Sequence, residues 1–275
     1  MMTDRPSSGI VSTDADTFYG WVAHSPSAAE GKMQWGPYRT KPFTEFDIEI
    51  EVFHCGICVT DVSTLRSGWA ADLTNFPIVV GHEIIGRAIR VGSLASRIRG
   101  FKVGDRVGTG HFGVMFAKAL GAEIVAVISR STARKADAQK MGADVFIATG
   151  EEPDWQNQHE KSLDLIVFTV NGPNMPLVGY LKLLRQHGQL IQIGATEDLL
   201  PQFDAHALIM KGVKIGGSLI GSPNEIEEML QFAVEKIVRP WIEKGSMKDA
   251  NQAVIDMGNG RARYKYTSVD EGNME

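Results

Sequence analysis

Between residues 124 and 238 short β-branched runs alternate with stretches of helical spacing, and few folds accept that order. Ile124-Val125-Ala126-Val127-Ile128 is continuously apolar, the mark of a strand covered on both faces in a parallel sheet. Asp164 to Phe168, Gln189 to Ile193 and Val213 to Leu219 read as further strands. Between them Thr132 to Met141, stopped by Gly142, and Met175 to Leu184 read as helices, and Asn224 to Val238 as a closing helix with an acidic start. Ahead of the first run, His111 to Leu120 sets Phe112, Met115, Phe116, Ala119 and Leu120 on one face, with Gly121 as stop signal. Right-handed crossovers then give a doubly wound parallel sheet.

The first hundred residues follow another rule. Asp47 to Val52 alternates polar and apolar side chains, as a half-exposed strand does, and Ile78-Val79-Val80 is a short apolar run ending at Gly81. Glu83 to Val91 reads as a strand, and Val103-Gly104-Asp105-Arg106-Val107 as a turn into one more. A compact β-rich region is expected there. With 43% hydrophobic residues, the 275-residue chain can bury more than one core. A net charge of -5 leaves no footprint for nucleic acid or anionic membrane, and no apolar run approaches the ~20 residues that span a bilayer. Met1 to Thr17 lacks the apolar segment of a secretory signal, so a cytoplasmic protein is expected.

Only two cysteines occur, Cys55 and Cys58. A lone Cys-x-x-Cys is as readily a pair of small buried hydrophobes or a redox pair as a metal site. Downstream, however, stands Gly81-His82-Glu83. A thiolate and an imidazole suit a catalytic zinc, which takes three protein ligands and keeps one position open. A second motif, Gly108-Thr109-Gly110-His111-Phe112-Gly113, is a literal G-x-G-x-x-G. That pattern is diagnostic only between a strand and a helix, and Gly104 to Val107 is a turn with one apolar residue, not a buried first strand. A third signal follows the Ile124 run. An NAD enzyme places an acid there, on the ribose 2′-hydroxyl, whereas this chain has Ser129-Arg130-Ser131-Thr132-Ala133-Arg134-Lys135. Hydroxyls and cations suit a 2′-phosphate.

Several stretches resemble zinc-dependent medium-chain alcohol dehydrogenases of the NADP-using cinnamyl alcohol dehydrogenase type: Phe18 to Ala23, His54-Cys55-Gly56-Ile57-Cys58, Leu65 to Trp69, Val80 to Glu83, Val103 to Val107, and the second half with Arg263-Tyr264. The resemblance implies an α/β fold. A truncated GroES-like β-rich catalytic domain would cover 1–107, an incomplete Rossmann-like NADP-binding domain 108–240, and a return to the catalytic domain 241–275. It implies Cys58 and His82 as zinc ligands with Cys55 as a neighbour, and Asp61 and Glu83 as supporting carboxylates, Glu83 able to approach the metal. Thr60 matches the hydroxyl that relays the substrate proton, and Ser63 stands where the family usually has a relay histidine. Gly108, Gly110 and His111 match the end of a Gly-Gly-Leu-Gly-His cofactor loop whose first glycine and preceding strand are gone, so a large internal block is missing near 108–110. Ser129, Arg130, Ser131, Arg134 and Lys135 would hold the 2′-phosphate, and Gly194, Gly217, Ser218 and Ile220 would line the nicotinamide side. No cysteine follows Cys58, so neither the family's four-cysteine structural zinc site nor its later catalytic cysteine can form. The implied activity is NADP(H)-dependent interconversion of primary aromatic or medium-chain alcohols and aldehydes, in a possible homodimer joined through the Rossmann domain. The alternative is an inactive or unstable truncated remnant with at most partial cofactor binding.

Overall fold

The structure, a computed structural model, describes residues 17–69, 74–99, 106–108, 113–169, 175–194, 197 and 199–270. In chain order the elements are β1 (Thr17–Val22), β2 (Gln34–Arg39), β3 (Ile48–Ile57), α1 (Val59–Arg66), β4 (Glu83–Val91), α2 (Ser93–Arg99), β5 (Arg106–Gly108), α3 (Gly113–Ala119), β6 (Ala126–Ser129), α4 (Lys135–Lys140), β7 (Val145–Ala148) and α5 (Trp155–Gln158). They continue with β8 (Leu163–Phe168), α6 (Leu177–Leu183), β9 (Leu184–Gln192), α7 (His206–Ile209), β10 (Lys214–Gly217), α8 (Pro223–Glu235), β11 (Ile242–Ser246), α9 (Ala250–Gly258) and β12 (Lys265–Val269). The chain divides into two compact units, 1–110 with 240–275, and 111–239.

In the first unit β3 is the middle strand of a five-stranded sheet ordered β11-β12-β3-β4-β5. The alternation of Asp47 to Val52 accounts only for its first half. The strand runs on to Ile57 because β12 and β4 flank its second half, pairing Cys55 with Ser268 and Ile84, and Gly56 with Thr267 and Glu83. Cys58 follows in extended conformation (φ -113°, ψ 156°) and opens α1. The inner face of α1 drives Val62 and Leu65 into a core with Ala28, Met33 and Val254. Burying those two side chains stabilises the unit by about 3–6 kcal/mol. Asn251 of α9 holds the chain after the 3₁₀ turn at 26–30 on both sides: its Oδ1 accepts the Met33 N–H at 2.9 Å and its Nδ2 donates to the Met33 carbonyl at 3.0 Å. The segment 240–270 is therefore integral to this unit.

The second unit contains two separate parallel sheets, β6-β7 and β10-β9-β8. A doubly wound sheet takes the order 3-2-1-4-5-6. With β6 and β7 as strands 2 and 3, and β8, β9 and β10 as 4, 5 and 6, both fragments keep that order and position 1 is unfilled among the described residues. Helices bridge the break, since Ile147 of β7 shares one buried cluster with Ile166 of β8, Leu190 of β9, Trp155 of α5 and Leu181 of α6. One face of β8 is uncovered as well. Ile166 is buried, but Leu165 and Val167 beside it are exposed. Neither α3, which follows the missing strand in sequence, nor α8 has a buried residue. They meet through the stacked rings of Phe116 and Phe232, 6.2 Å apart.

Local departures from the sequence expectations have local causes. Ile124 is exposed and β6 begins only at Ala126, because Val125 is held at the turn before β7, its N–H donating to the Asp144 side chain and its carbonyl accepting from the Asp144 N–H, both at 2.8 Å. β9 begins at Leu184, five residues before Gln189, where α6 hands over directly to the strand and the Leu184 side chain is fully buried. Among the described residues, no helix is long and apolar enough to cross a membrane.

Candidate metal centre and cofactor edge

Cys58 at the head of α1, and His82 and Glu83 at the start of β4, are 24 residues apart in sequence and adjacent in space. One ligand atom from each lies within 4.8 Å of the others. The adjacency follows from the antiparallel β3–β4 pair, which sets Gly56 opposite Glu83.

The carboxylate of Asp61, at the third position of α1 and almost fully buried, organises this corner. Its Oδ2 accepts the backbone N–H of Cys58 at 2.9 Å. Its Oδ1 accepts the N–H of Gly81 and the Nδ1–H of His82, both at 3.0 Å. A carboxylate can only accept, so the imidazole proton is fixed on Nδ1 and the Nε2 lone pair is left for a metal. The donor set of thiol, imidazole nitrogen and carboxylate oxygen fits zinc.

Two glycines make the corner possible. A Cβ on Gly56 would sit 2.4 Å from the Glu83 Oε2, so the glycine leaves room for that carboxylate. Gly81 has φ +119°, and a Cβ there would come within 2.9 Å of the Cys55 sulfur. Lys265 of β12 forms an ion pair with the Glu83 Oε2. Burial pushes the Cys55 thiol from its ordinary 9.0 up to about 11, with the charges of Asp61 and Glu83 adding to the effect and Lys265 opposing it. Cys55 is therefore protonated at neutral pH and is not a ready thiolate donor.

Thr60 is half-buried in the first turn of α1, its carbonyl accepting from the Thr64 hydroxyl at 2.8 Å. Ser63 is buried on the inner face of α1. Gly108 lies in β5, paired with Ile85 of β4 in the first unit's sheet, rather than at the head of a cofactor-domain strand. Arg106 and Val107 before it pair with Arg87 and Gly86 and complete an antiparallel edge. Gly110 and His111 lie outside the described residues.

The other cofactor candidates fall at the C-terminal ends of parallel strands, the edge where doubly wound sheets bind dinucleotides. Ser129 ends β6, and Ser131 in extended conformation opens the 3₁₀ turn Thr132–Arg134 that leads to Lys135 and α4. The Ser129 and Arg130 carbonyls accept from Thr149 and Gly150 at 2.8 and 2.9 Å, lacing this turn to the end of β7. The side chains of Arg130, Arg134 and Lys135 are exposed. Glu151, overlooked in the sequence, enters the same turn: its Oε2 accepts the Thr132 N–H at 3.1 Å. Gly194, Gly217 and Ser218 converge on Gln192 at the end of β9. The Gln192 Nε2 donates to the Gly194 carbonyl at 2.5 Å, Gly217 pairs with Gln192, and the Ser218 N–H donates to the Gln192 carbonyl at 3.0 Å. Ile220 is outside that convergence, with its side chain 87% exposed.

The family described as "Alcohol dehydrogenase GroES-like domain" matches residues 44–118, and the family described as "Zinc-binding dehydrogenase" matches residues 108–235. The two together take in most of the chain and meet at 108–118. This chain belongs to the zinc-binding alcohol dehydrogenases. It is 27% identical to an 8-hydroxygeraniol dehydrogenase from Catharanthus roseus over 357 aligned positions, covering 93% of this chain and 95% of the relative. It is 26% identical to cinnamyl alcohol dehydrogenase 2 from Rauvolfia serpentina, with 93% and 95% covered. In fold it is similar to the CAD from Helicobacter pylori solved in complex with NADP(H), with a TM-score of 0.79 at 21% identity, covering 92% of this chain and 98% of that one.

An alignment of 357 positions exceeds the 275 residues present, so at least 82 positions of the Catharanthus relative (357 less 275) have no counterpart here. Within the dehydrogenase frame, the unfilled strand position between β6 and β8 and the meeting of the two family matches at 108–118 agree with an internal loss at that point. Lys265 was also missed in the sequence. It is 182 residues from Glu83, and only the pairing β12-β3-β4 brings the two together.

Proposed function

We propose that this chain is built for zinc-dependent, NADP(H)-dependent interconversion of primary alcohols and aldehydes, with aromatic or medium-chain substrates of the cinnamaldehyde kind. The observation that carries this is the convergence of Cys58, His82 and Glu83 around the Asp61 carboxylate, in a chain of the zinc-binding dehydrogenase family. When bound by those three residues, zinc would supply Lewis acidity toward the alcohol or aldehyde oxygen.

The chain's own residues do the rest. Asp61 keeps the His82 ring in one tautomer and one orientation, and anchors the Cys58 backbone as α1 begins. Thr60, two residues after Cys58, relays the proton of the alcohol, accepting it while passing its own hydroxyl proton on to solvent water during oxidation and the reverse during reduction, and Ser63 stands where a relay histidine is usual. Lys265 balances the charge of Glu83. In the second unit, Ser129, Arg130, Ser131, Arg134 and Lys135 hold the 2′-phosphate, and Gly194, Gly217 and Ser218 leave space for the nicotinamide half. Two free thiols suit a cytoplasmic protein. The edge strand β10, followed by the exposed Leu219 and Ile220, suits a homodimer joined through the second unit.

A second reading has its own observation. The strand position between β6 and β8 is unfilled among the described residues, and the glycine loop that supports a dinucleotide's phosphates normally follows that strand. On this reading the chain keeps the metal corner but holds the cofactor weakly, as a remnant of the enzyme.

Titration of purified protein with NADPH and NADH, for the native chain and Arg130→Ala, addresses both. Two charge-assisted contacts to a 2′-phosphate, at about 1.5–3 kcal/mol each, predict a preference for NADPH of a hundredfold or more. Arg130→Ala should lower that preference steeply and leave NADH unchanged. Equal affinities in the native chain would overturn the cofactor assignment. NADPH-dependent reduction of cinnamaldehyde, present or absent, separates enzyme from remnant.

A further inference from the structure

Three lysines stand at matching places in the second unit. Lys161 precedes β8 by two residues, Lys182 precedes β9 by two, and Lys211 precedes β10 by three. Because β8, β9 and β10 are adjacent and parallel, all three fall at the N-terminal edge of the sheet, opposite the edge given to the dinucleotide. They line one open groove of about 820 Å³ with Arg185 and a single carboxylate, Glu160.

The arrangement is held, not incidental. The Lys161 N–H donates to the Lys182 carbonyl at 3.1 Å, which sets the two lysines side by side, and Lys161 takes a left-handed φ of +56° to do so. Such a conformation is uncommon outside glycine and asparagine and is retained against a local cost. The Lys211 Nζ donates to the carbonyls of Leu181, Lys182 and Leu184, at 2.7, 3.0 and 2.8 Å. It thereby neutralises the C-terminal end of α6, whose negative dipole would otherwise repel an anion. Burial lowers the Lys211 pKa below the ordinary lysine range, and Lys161 and Lys182 lower it further while Glu160 opposes them. Glu160 pairs with Lys161 at 3.2 Å and Asp164 with Arg185 at 3.0 Å, so Lys161, Lys182, Arg185 and Lys211 against these two carboxylates leave +2 in a chain whose net charge is -5. Apart from Gln186 and His206, the remaining wall is apolar: Val178 and Leu181 of α6, with Ala207 and Met210.

We infer that this groove binds a small amphipathic anion, a phosphate or carboxylate head on an apolar body. The head meets Lys161 and Lys182, and the body lies along Val178 and Met210. The size of the groove suits such a molecule. The site is independent of the proposed dehydrogenase activity and of the NADP(H) edge.

Phenyl phosphate, inorganic phosphate and phenol serve as probes against the full chain labelled with ¹³C at methionine methyls, the Met210 resonance being identified by Met210→Leu. Phenyl phosphate should shift that resonance saturably and bind at least tenfold more tightly than either fragment. Lys161→Gln combined with Lys182→Gln should weaken it at least tenfold, while the circular dichroism spectrum stays unchanged. Saturating NADPH should not displace it. Should the double variant misfold, salt decides on the native chain: raising ionic strength from about 0.05 to 0.3 M should weaken binding severalfold, because the head-group contacts are exposed. A Met210 resonance that does not move, binding insensitive to both charge removal and salt, phosphate or phenol binding as tightly as phenyl phosphate, or displacement by NADPH would each overturn the assignment. The last two results leave the dehydrogenase proposal intact.

Discussion

Replacing Asp61 by Asn changes one atom and strikes the centre of the metal corner. The carboxylate accepts three N–H groups, from Cys58 on Oδ2 and from Gly81 and His82 on Oδ1. An asparagine amide has one acceptor oxygen. In its less costly orientation the oxygen replaces Oδ1, keeping Gly81 and His82, and the NH₂ group faces the Cys58 N–H, donor against donor. One charge-assisted bond is then lost, at about 1.5–3 kcal/mol, and the other two fall to neutral strength, roughly half. Together this amounts to about 3–6 kcal/mol in stability of the first unit. In the other orientation His82 loses the partner that fixes its tautomer. Zinc affinity should fall by about 10–100-fold, the usual effect of removing a group that orients a ligand. The assays are urea unfolding without metal and zinc competition against a chromogenic chelator, with Asp61→Glu as a size control. Unchanged zinc affinity in a folded Asp61→Asn protein would refute the role given to this carboxylate.

Further outcomes follow from the same geometry. Gly81→Ala forces a side chain into φ +119° and against the Cys55 sulfur; a loss of about 1–3 kcal/mol in urea unfolding is expected, with weakened zinc binding. Cys55 holds its proton to about pH 11 when folded, whereas the unfolded thiol releases it near 9. Between those values the unfolded chain binds fewer protons, so stability falls as pH rises, by about 2–3 kcal/mol at most. Urea midpoints from pH 8 to 10.5 should show that slope in the native chain, and a smaller one in Cys55→Ala. Inserting a five-residue β-branched strand with a glycine turn ahead of α3 should fill the position between β6 and β8. NADPH affinity should then rise at least about tenfold, a gain of 1.4 kcal/mol, which the burial of a single Val or Ile side chain can supply.

The second unit's alternation was legible because apolar runs mark β6, β8 and the end of β9, and Asp164 to Phe168 needed a one-residue change only. β7, Val145–Ala148, escaped notice because four residues following Gly142-Ala143-Asp144 carry no period. The strand position unfilled among the described residues was also legible, from the turn-like Gly104 to Val107, yet the exposure of α3 and α8 was not, since the burial of a helix depends on what lies beneath it. At the metal corner, Cys58, His82 and Glu83 stood out as residue types. Asp61 was recognisable through the family resemblance, but its three hydrogen bonds depend on how α1 and Gly81 approach each other. Lys265 and Glu151 gave no local signal, because their partners come from distant strands.

X-ray absorption at the zinc edge, on the purified chain loaded with one equivalent of zinc, tests the central claim most directly. One sulfur at about 2.3 Å with nitrogen and oxygen neighbours at about 2.0–2.2 Å is expected, from Cys58, His82 and Glu83. The sulfur signal should vanish in Cys58→Ser and persist in Cys55→Ser. Two sulfur neighbours, or none, would contradict the account.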